Sequence, residues 1–200
     1  MTQGGVNKGR RRFLGAATAA VGAVGVVGVA VPFVKSWNPS EKAKAVGGPV
    51  SVDLSKIDVG AMITEEWRGK PIYILKRSPE VMKELDSKAL KDRLLDPESD
   101  NAAQQPAYAK NDARAINDSD ILVVEGVCTH LGCAPKLFYE VQPESFDPKW
   151  PGGFFCPCHG SKYDLSGRVF SGVPAPANLV VPPHHYDGST LIVGEDGGAA

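Results

Sequence analysis

All four cysteines of the chain sit in two short boxes, "CTHLGC" from Cys128 to Cys133 and "CPCHGS" from Cys156 to Ser161. Two of its four histidines, His130 and His159, sit there with them. The boxes are separated by 22 residues.

The residues as they stand leave three chemistries open. Four cysteines in an exported domain can close two disulfides, which gives His130 and His159 no role. Cysteine and histidine can hold one structural zinc, with six candidate donors for four positions. In the third reading, Cys128-x-His130 and Cys156-x-x-His159 each give one thiolate and one imidazole to a [2Fe–2S] cluster, and Cys133 and Cys158 bridge. Only this reading employs every Cys and His of the boxes.

The setting follows from the N-terminus. Phe13 to Val34 is uncharged for 22 residues, enough as a helix to cross a hydrocarbon core of about 30 Å. The alternative is a cleaved signal, for which "AKA" at Ala43–Ala45 offers a site. Lys8, Arg10, Arg11 and Arg12 precede the span, which places residues 1–12 in the cytoplasm and the remainder outside the inner membrane. "GRRRFLG" (Gly9–Gly15) is similar to a twin-arginine export signal, with Gly9 and Gly15 departing from its usual flanks. Beyond residue 12 the chain holds 18 basic and 23 acidic residues, a balance that argues against nucleic acid as a partner.

After the span, residues 35–49 are polar, with Pro39, Gly47, Gly48 and Pro49, and read as a flexible tether. Residues 50–200 form the extracytoplasmic domain. Its β-branched runs at Pro49–Leu54, Pro71–Arg77, Asp120–Gly126, Asn178–Pro183 and Thr190–Gly194 predict strands. Ser78 and Pro79 open a helical pattern reaching Leu95, and Asp96–Asn117 reads as an irregular surface excursion. His184 and His185, without a nearby cysteine, read as ordinary strand residues. The class is mostly β. Each box follows a strand-like run and is flanked by Gly and Pro, which puts both on loops at the end of a small sheet.

The boxes, with "KYDLSGR" (Lys162–Arg168), "GVPAP" (Gly172–Pro176) and "NLVVPPHHYDG" (Asn178–Gly188) after them, resemble the Rieske iron–sulfur subunit of quinol–cytochrome c oxidoreductases. That resemblance implies a small antiparallel β-sandwich or barrel with a cluster-binding part at about 127–177, behind a transmembrane helix at 13–34. It implies a Rieske-type [2Fe–2S] cluster on Cys128, His130, Cys156 and His159, with a Cys133–Cys158 disulfide. Ser161 and Tyr163 are expected to donate hydrogen bonds to cluster sulfur. His159 is expected to bind quinol with His130 as its exposed companion, and Leu131, Pro174, Ala175 and Pro176 to form an apolar docking rim. The implied partners are cytochrome b, a c-type cytochrome, ubiquinol and the membrane, in a dimeric bacterial inner-membrane complex with the cluster domain in the periplasm. A Rieske subunit of another oxidoreductase is the nearest alternative. Two features depart from the family: Val173 between Gly172 and Pro174, and the length of the segment Ala134–Phe155.

Overall fold

The computed structural model describes residues 5, 7–40 and 47–197. The chain divides into an N-terminal unit, residues 1–45, and a head, residues 46–200.

The N-terminal unit is one helix, α1 (Lys8–Ser36), longer at both ends than the uncharged span. The Asn7 side chain caps it, accepting from the N–H groups of Gly9 and Arg10 at 3.1 Å each, and so satisfies donors that have no partner inside the helix. Lys35 stands in the last turn, where a cation is favoured. None of its residues is buried, and the helix is long and apolar enough to cross a membrane. Lys35 and Ser36 therefore belong to the helix rather than to the expected tether. Residues 41–46, with Ala43–Ala45, lie outside the described residues.

Among the described residues, the head is built from three antiparallel three-stranded sheets. The central one joins β2 (Met62–Trp67), β3 (Lys70–Lys76) and β4 (Ile121–Glu125). Every residue of β4 is buried, because both faces of this sheet are covered. Tyr73 and Leu75 pair across the ladder with Val124 and Leu122 and point into one core. Ile72, Ile74 and Val123 point into the other. That second core is closed by the sheet of β1 (Val50–Asp53), β9 (Thr190–Val193) and β8 (His184–Asp187), through Val52, Leu191 and Val193. The first core is closed by the small sheet of β5 (Lys136–Phe138), β6 (Gly153–Phe155) and β7 (Lys162–Tyr163), which carries the boxes.

Several expectations are corrected. Asn178–Pro183 is not a strand; its two closing prolines, Pro182 and Pro183, leave no ladder, and pairing begins at His184. β2 is a strand that its polar centre, Thr64, Glu65 and Glu66, did not announce. The helical pattern from Pro79 splits into α2 (Pro79–Glu84) and α3 (Lys88–Lys91), each capped by a serine, Ser78 and Ser87. Ser87 favours a cap over a helix interior, which accounts for the break.

Asp96–Asn117 is no surface excursion. It folds back as short 3₁₀ turns, burying Ala109, Ala113, Arg114 and Ala115. Tyr108 reaches the outer edge of β8, where its hydroxyl accepts from the His184 N–H (2.9 Å) and donates to the His184 carbonyl (3.1 Å). A side chain thus covers an edge that is otherwise open to pairing. Arg114 donates to the carbonyls of Ser166, Gly167, Gln104 and Leu179 and to Gln105 Oε1. Arg168 donates to Asp164, Asp112 and the carbonyls of Pro97 and Leu85. Burial pushes Arg114 down to about 10, which still leaves it charged at neutral pH. These guanidiniums fasten the insertion to the turn just beyond the second box.

Replacing Arg114 by Met leaves several buried carbonyls unpaired, at a cost of at least ~3 kcal/mol. The head should then unfold roughly 6–12 °C lower in a thermal melt of the detergent-solubilised chain. A midpoint within 2 °C of the parent, on the order of 1 kcal/mol or less, would show that the insertion is not held this way.

Candidate metal centre

The two boxes form loops of the same construction. In the first, the Cys128 N–H donates to the Cys133 carbonyl (2.8 Å) and the Gly132 N–H to the Cys128 carbonyl (2.9 Å). In the second, the Cys156 N–H donates to the Ser161 carbonyl (2.8 Å) and the Gly160 N–H to the Cys156 carbonyl (2.9 Å). Gly132 and Gly160 close the turns at φ of 85° and 78°, a region that side chains with a Cβ rarely occupy. By this register Cys128 matches Cys156, and Cys133 matches Ser161. The histidines do not match, since His130 lies two residues after its cysteine and His159 three.

β4 delivers the first loop and β6 the second. Tyr73 links the first to the central sheet: its ring stacks on Phe154 with centroids 5.8 Å apart, and its hydroxyl donates to the Pro135 carbonyl at 3.0 Å. Behind the second, Trp150 is buried, and its indole N–H donates to the Phe138 carbonyl at 3.0 Å. Buried Asp147 bridges Arg93 (2.6 Å) and Lys162 (2.8 Å). Burial acts to raise its carboxyl, but Lys162 and the Lys149 N–H outweigh it and hold the group below the usual carboxylate range. The long segment Ala134–Phe155 is therefore an aromatic and ionic brace for the second loop.

Cys133 and Cys158 are joined by a disulfide, which ties the loops together. Cys128 and Cys156 are unbridged and buried, so the chemistry of two disulfides is overturned. A third sulfur, Cys156 Sγ, lies within 4.8 Å of the disulfide pair. Those two atoms are already bonded to each other, so they are not free thiolate donors. His130 and His159 face each other at the tip, ring centroids 4.9 Å apart at 89°. His130 is half-buried and His159 exposed, so the companion ring is less open than expected.

The hydroxyls are placed to donate. The Tyr163 hydroxyl donates to Cys128 Sγ at 3.2 Å and accepts from the Thr129 N–H at 3.1 Å. Burial, and then the neighbouring Cys128 sulfur, raise the Tyr163 phenol, so it keeps its proton. Ser161 Oγ accepts from the Ala175 N–H at 3.1 Å, which leaves its own hydrogen to give. Burial works to raise the Cys128 thiol, but the Tyr163 hydroxyl, the His130 N–H, Cys156 and Ser161 together lower it. Cys156 is raised, by burial and by the proximity of Cys128.

Two buried thiols close enough to share a proton, two imidazoles on the same loops, and hydroxyl donors aimed at sulfur fit a diiron cluster ligated by sulfur on one side and nitrogen on the other. Among the expected rim residues, Leu131 is 72% exposed and Pro174 and Pro176 are exposed, whereas Ala175 is 1% exposed. Ala175 serves through its backbone. The sequence reading missed Thr129, whose Oγ1 donates to the Ala177 carbonyl at 2.6 Å and so latches the proline loop onto the first box. A hydroxyl residue between the first Cys and the His of the first box was the available signal.

Comparison with known proteins agrees with this geometry. Residues 97–183 match the family described as the Rieske [2Fe-2S] domain. Residues 1–40 match the twin-arginine (TAT) signal of the ubiquinol–cytochrome c reductase Fe-S subunit. The ubiquinol–cytochrome c reductase iron-sulfur subunit of Allochromatium vinosum is 51% identical over 201 residues, covering 100% of this chain and 95% of the relative. The same subunit of Blastochloris viridis is 44% identical, covering 92% and 90%. That of Rhodobacter capsulatus is 40% identical, covering 92% and 93%.

Tyr163→Phe removes one donor to sulfur while keeping the ring. The midpoint potential should fall by about 60 mV, corresponding to a loss of ~1.4 kcal/mol in preference for the reduced form, with the iron content unchanged. A redox titration showing no fall would remove Tyr163 from the tuning of the centre.

Proposed function

Since the chain belongs to the family of ubiquinol–cytochrome c reductase iron–sulfur subunits, we propose that it takes electrons from ubiquinol and passes them to a c-type cytochrome. Cys128 and Cys156 would hold one iron of its Rieske cluster, and His130 and His159 the other. The observation that carries this reading is the division of labour among the sulfurs. Two are buried and unbridged beside two surface imidazoles, and two are spent on a loop-to-loop bond. Bound there, the cluster supplies a one-electron carrier whose potential is raised by neutral imidazoles in place of two thiolates, toward the upper part of the Rieske range of about −150 to +300 mV.

The chain's own residues do the rest. Burial of Cys128 and Cys156 keeps water from the sulfur side. His159, exposed at the tip, offers a ring nitrogen that accepts the hydrogen bond of a quinol hydroxyl and takes its proton as the electron leaves. Leu131, Pro174 and Pro176 surround the histidines with apolar surface, suited to a hydrophobic quinol pocket on cytochrome b. Ser161 and Tyr163 favour the more negative, reduced state through hydrogen bonds to sulfur.

Residues 1–12 lie in the cytoplasm, α1 crosses the bacterial inner membrane once, and the head works in the periplasm, because the basic cluster precedes the span. The twin-arginine pattern suits export of a folded, cofactor-loaded head. The connection that follows α1, residues 37–49, lets the head visit both redox partners in a dimeric complex. Low-temperature EPR of membranes containing the chain should show a Rieske signal whose line shape shifts when a quinol-site inhibitor is added. A signal indifferent to the inhibitor would place the cluster away from a quinol site.

A further inference from the structure

A groove runs between α2–α3 and the connection from β5 to β6. At one end is a cavity of about 420 Å³, floored by Val81, Leu85 and Leu90, with Val141 at its lip, and rimmed by Glu80, Glu84 and Glu140. A second depression of about 520 Å³ shares Glu84, Leu90, Val141 and Pro151 with it and continues past Trp150. None of the residues just named is a cluster ligand or part of the apolar tip.

Two features of the groove are uncompensated within the head. Val141 is 71% exposed at its lip. Glu80, Glu84 and Glu140 have no ion-pair partner among the described residues; Ser87 donates to Glu84 at 2.7 Å, and Glu80 accepts from the Ser78 hydroxyl and its own N–H, with Lys83 acting on it through space. The basic residues of the groove, Arg93 and Lys149, lie at its other end, and Arg93 is engaged by Asp147. An apolar floor under carboxylates of one sign selects an apolar anchor carried beside a cation. Anionic lipid headgroups are repelled by such a rim. So is a second copy of the head, since the chain beyond residue 12 has 18 basic against 23 acidic residues.

We propose that this groove docks a basic, apolar-anchored segment of a partner polypeptide within the oxidoreductase complex, an inference that rests on the reading given under Proposed function. The groove is lined in part by Gly152, just before β6, and by Asp164 and Leu165, just after β7. A docked segment would therefore bear on the frame of the second box and leave the cluster tip free to move between its redox partners. The unusual length of the segment between the boxes gains a use on this account, because it supplies Glu140, Val141 and Pro151.

The test places p-benzoylphenylalanine at position 141 of the full chain in membranes, followed by irradiation, isolation of the cytochrome-containing complex and mass spectrometry. The expected product is a cross-link to another polypeptide of the complex, at a segment with Lys or Arg beside an apolar residue. Its yield should fall about tenfold when Glu80, Glu84 and Glu140 are all changed to Lys, and by an intermediate amount when they are changed to Gln. All three side chains are exposed, and an unchanged Rieske EPR signal verifies that each variant is folded. Cross-links only to lipid, only to a second copy of this chain, or to a segment without basic residues would overturn the proposal, as would none at all or a yield indifferent to charge. Failure of the chain to co-purify with cytochromes would instead overturn the functional reading, and this proposal with it.

Discussion

Two loops distant in sequence must hold four donor atoms in one fixed relation, and the bond between Cys133 and Cys158 enforces it covalently. Each loop alone is a tight turn closed by two backbone hydrogen bonds, too small to bury much apolar surface. Joined, they share a floor, and their remaining thiols face each other beneath it. Export outside the cytoplasm is the condition that lets such a bond persist. The membrane anchor, the signal ahead of it and the sulfur chemistry are thus parts of one physical requirement.

Everything under the loops serves to keep that relation stiff. The central sheet is buried on both faces, so the strand that delivers the first box, β4, has little freedom to shift register. The second box rests on Trp150, Phe154 and the Asp147 ion pairs. Arg114 and Arg168 close the back by spending their donors on carbonyls that have lost access to water. These buried cations cannot be removed singly without stranding the groups they satisfy. Their consequence is specificity, since a half-made network leaves unpaired polar groups. The result is a rigid head whose one chemically active end carries exposed imidazole and apolar rim together.

Legibility of the sequence varied with how local the governing interaction was. The boxes were readable because ligand chemistry restricts residue type and spacing together. The strands Val50–Asp53, Lys70–Lys76 and Ile121–Glu125 were readable from β-branched runs. The Asp96–Asn117 insertion was opaque because its burial depends on carbonyls from Ser166, Gly167 and Leu179, contributed from far along the chain. A polar, alanine-containing stretch carries no periodic sign of such partners. Ala175 was misplaced for a related reason: its role runs through its N–H, which side-chain chemistry does not report. The relative exposure of His130 and His159 follows from their different offsets in two otherwise matching turns, a detail that appears only in three dimensions.

The central claim is that one diiron core is held by two nitrogens and two sulfurs of this chain. Pulsed EPR on protein grown with ¹⁵N-histidine, read beside iron and acid-labile sulfide content, tests it most directly. The account predicts two strongly coupled histidine nitrogens on a reduced cluster with equal iron and sulfide. Absence of histidine coupling, or zinc in place of iron, would contradict it.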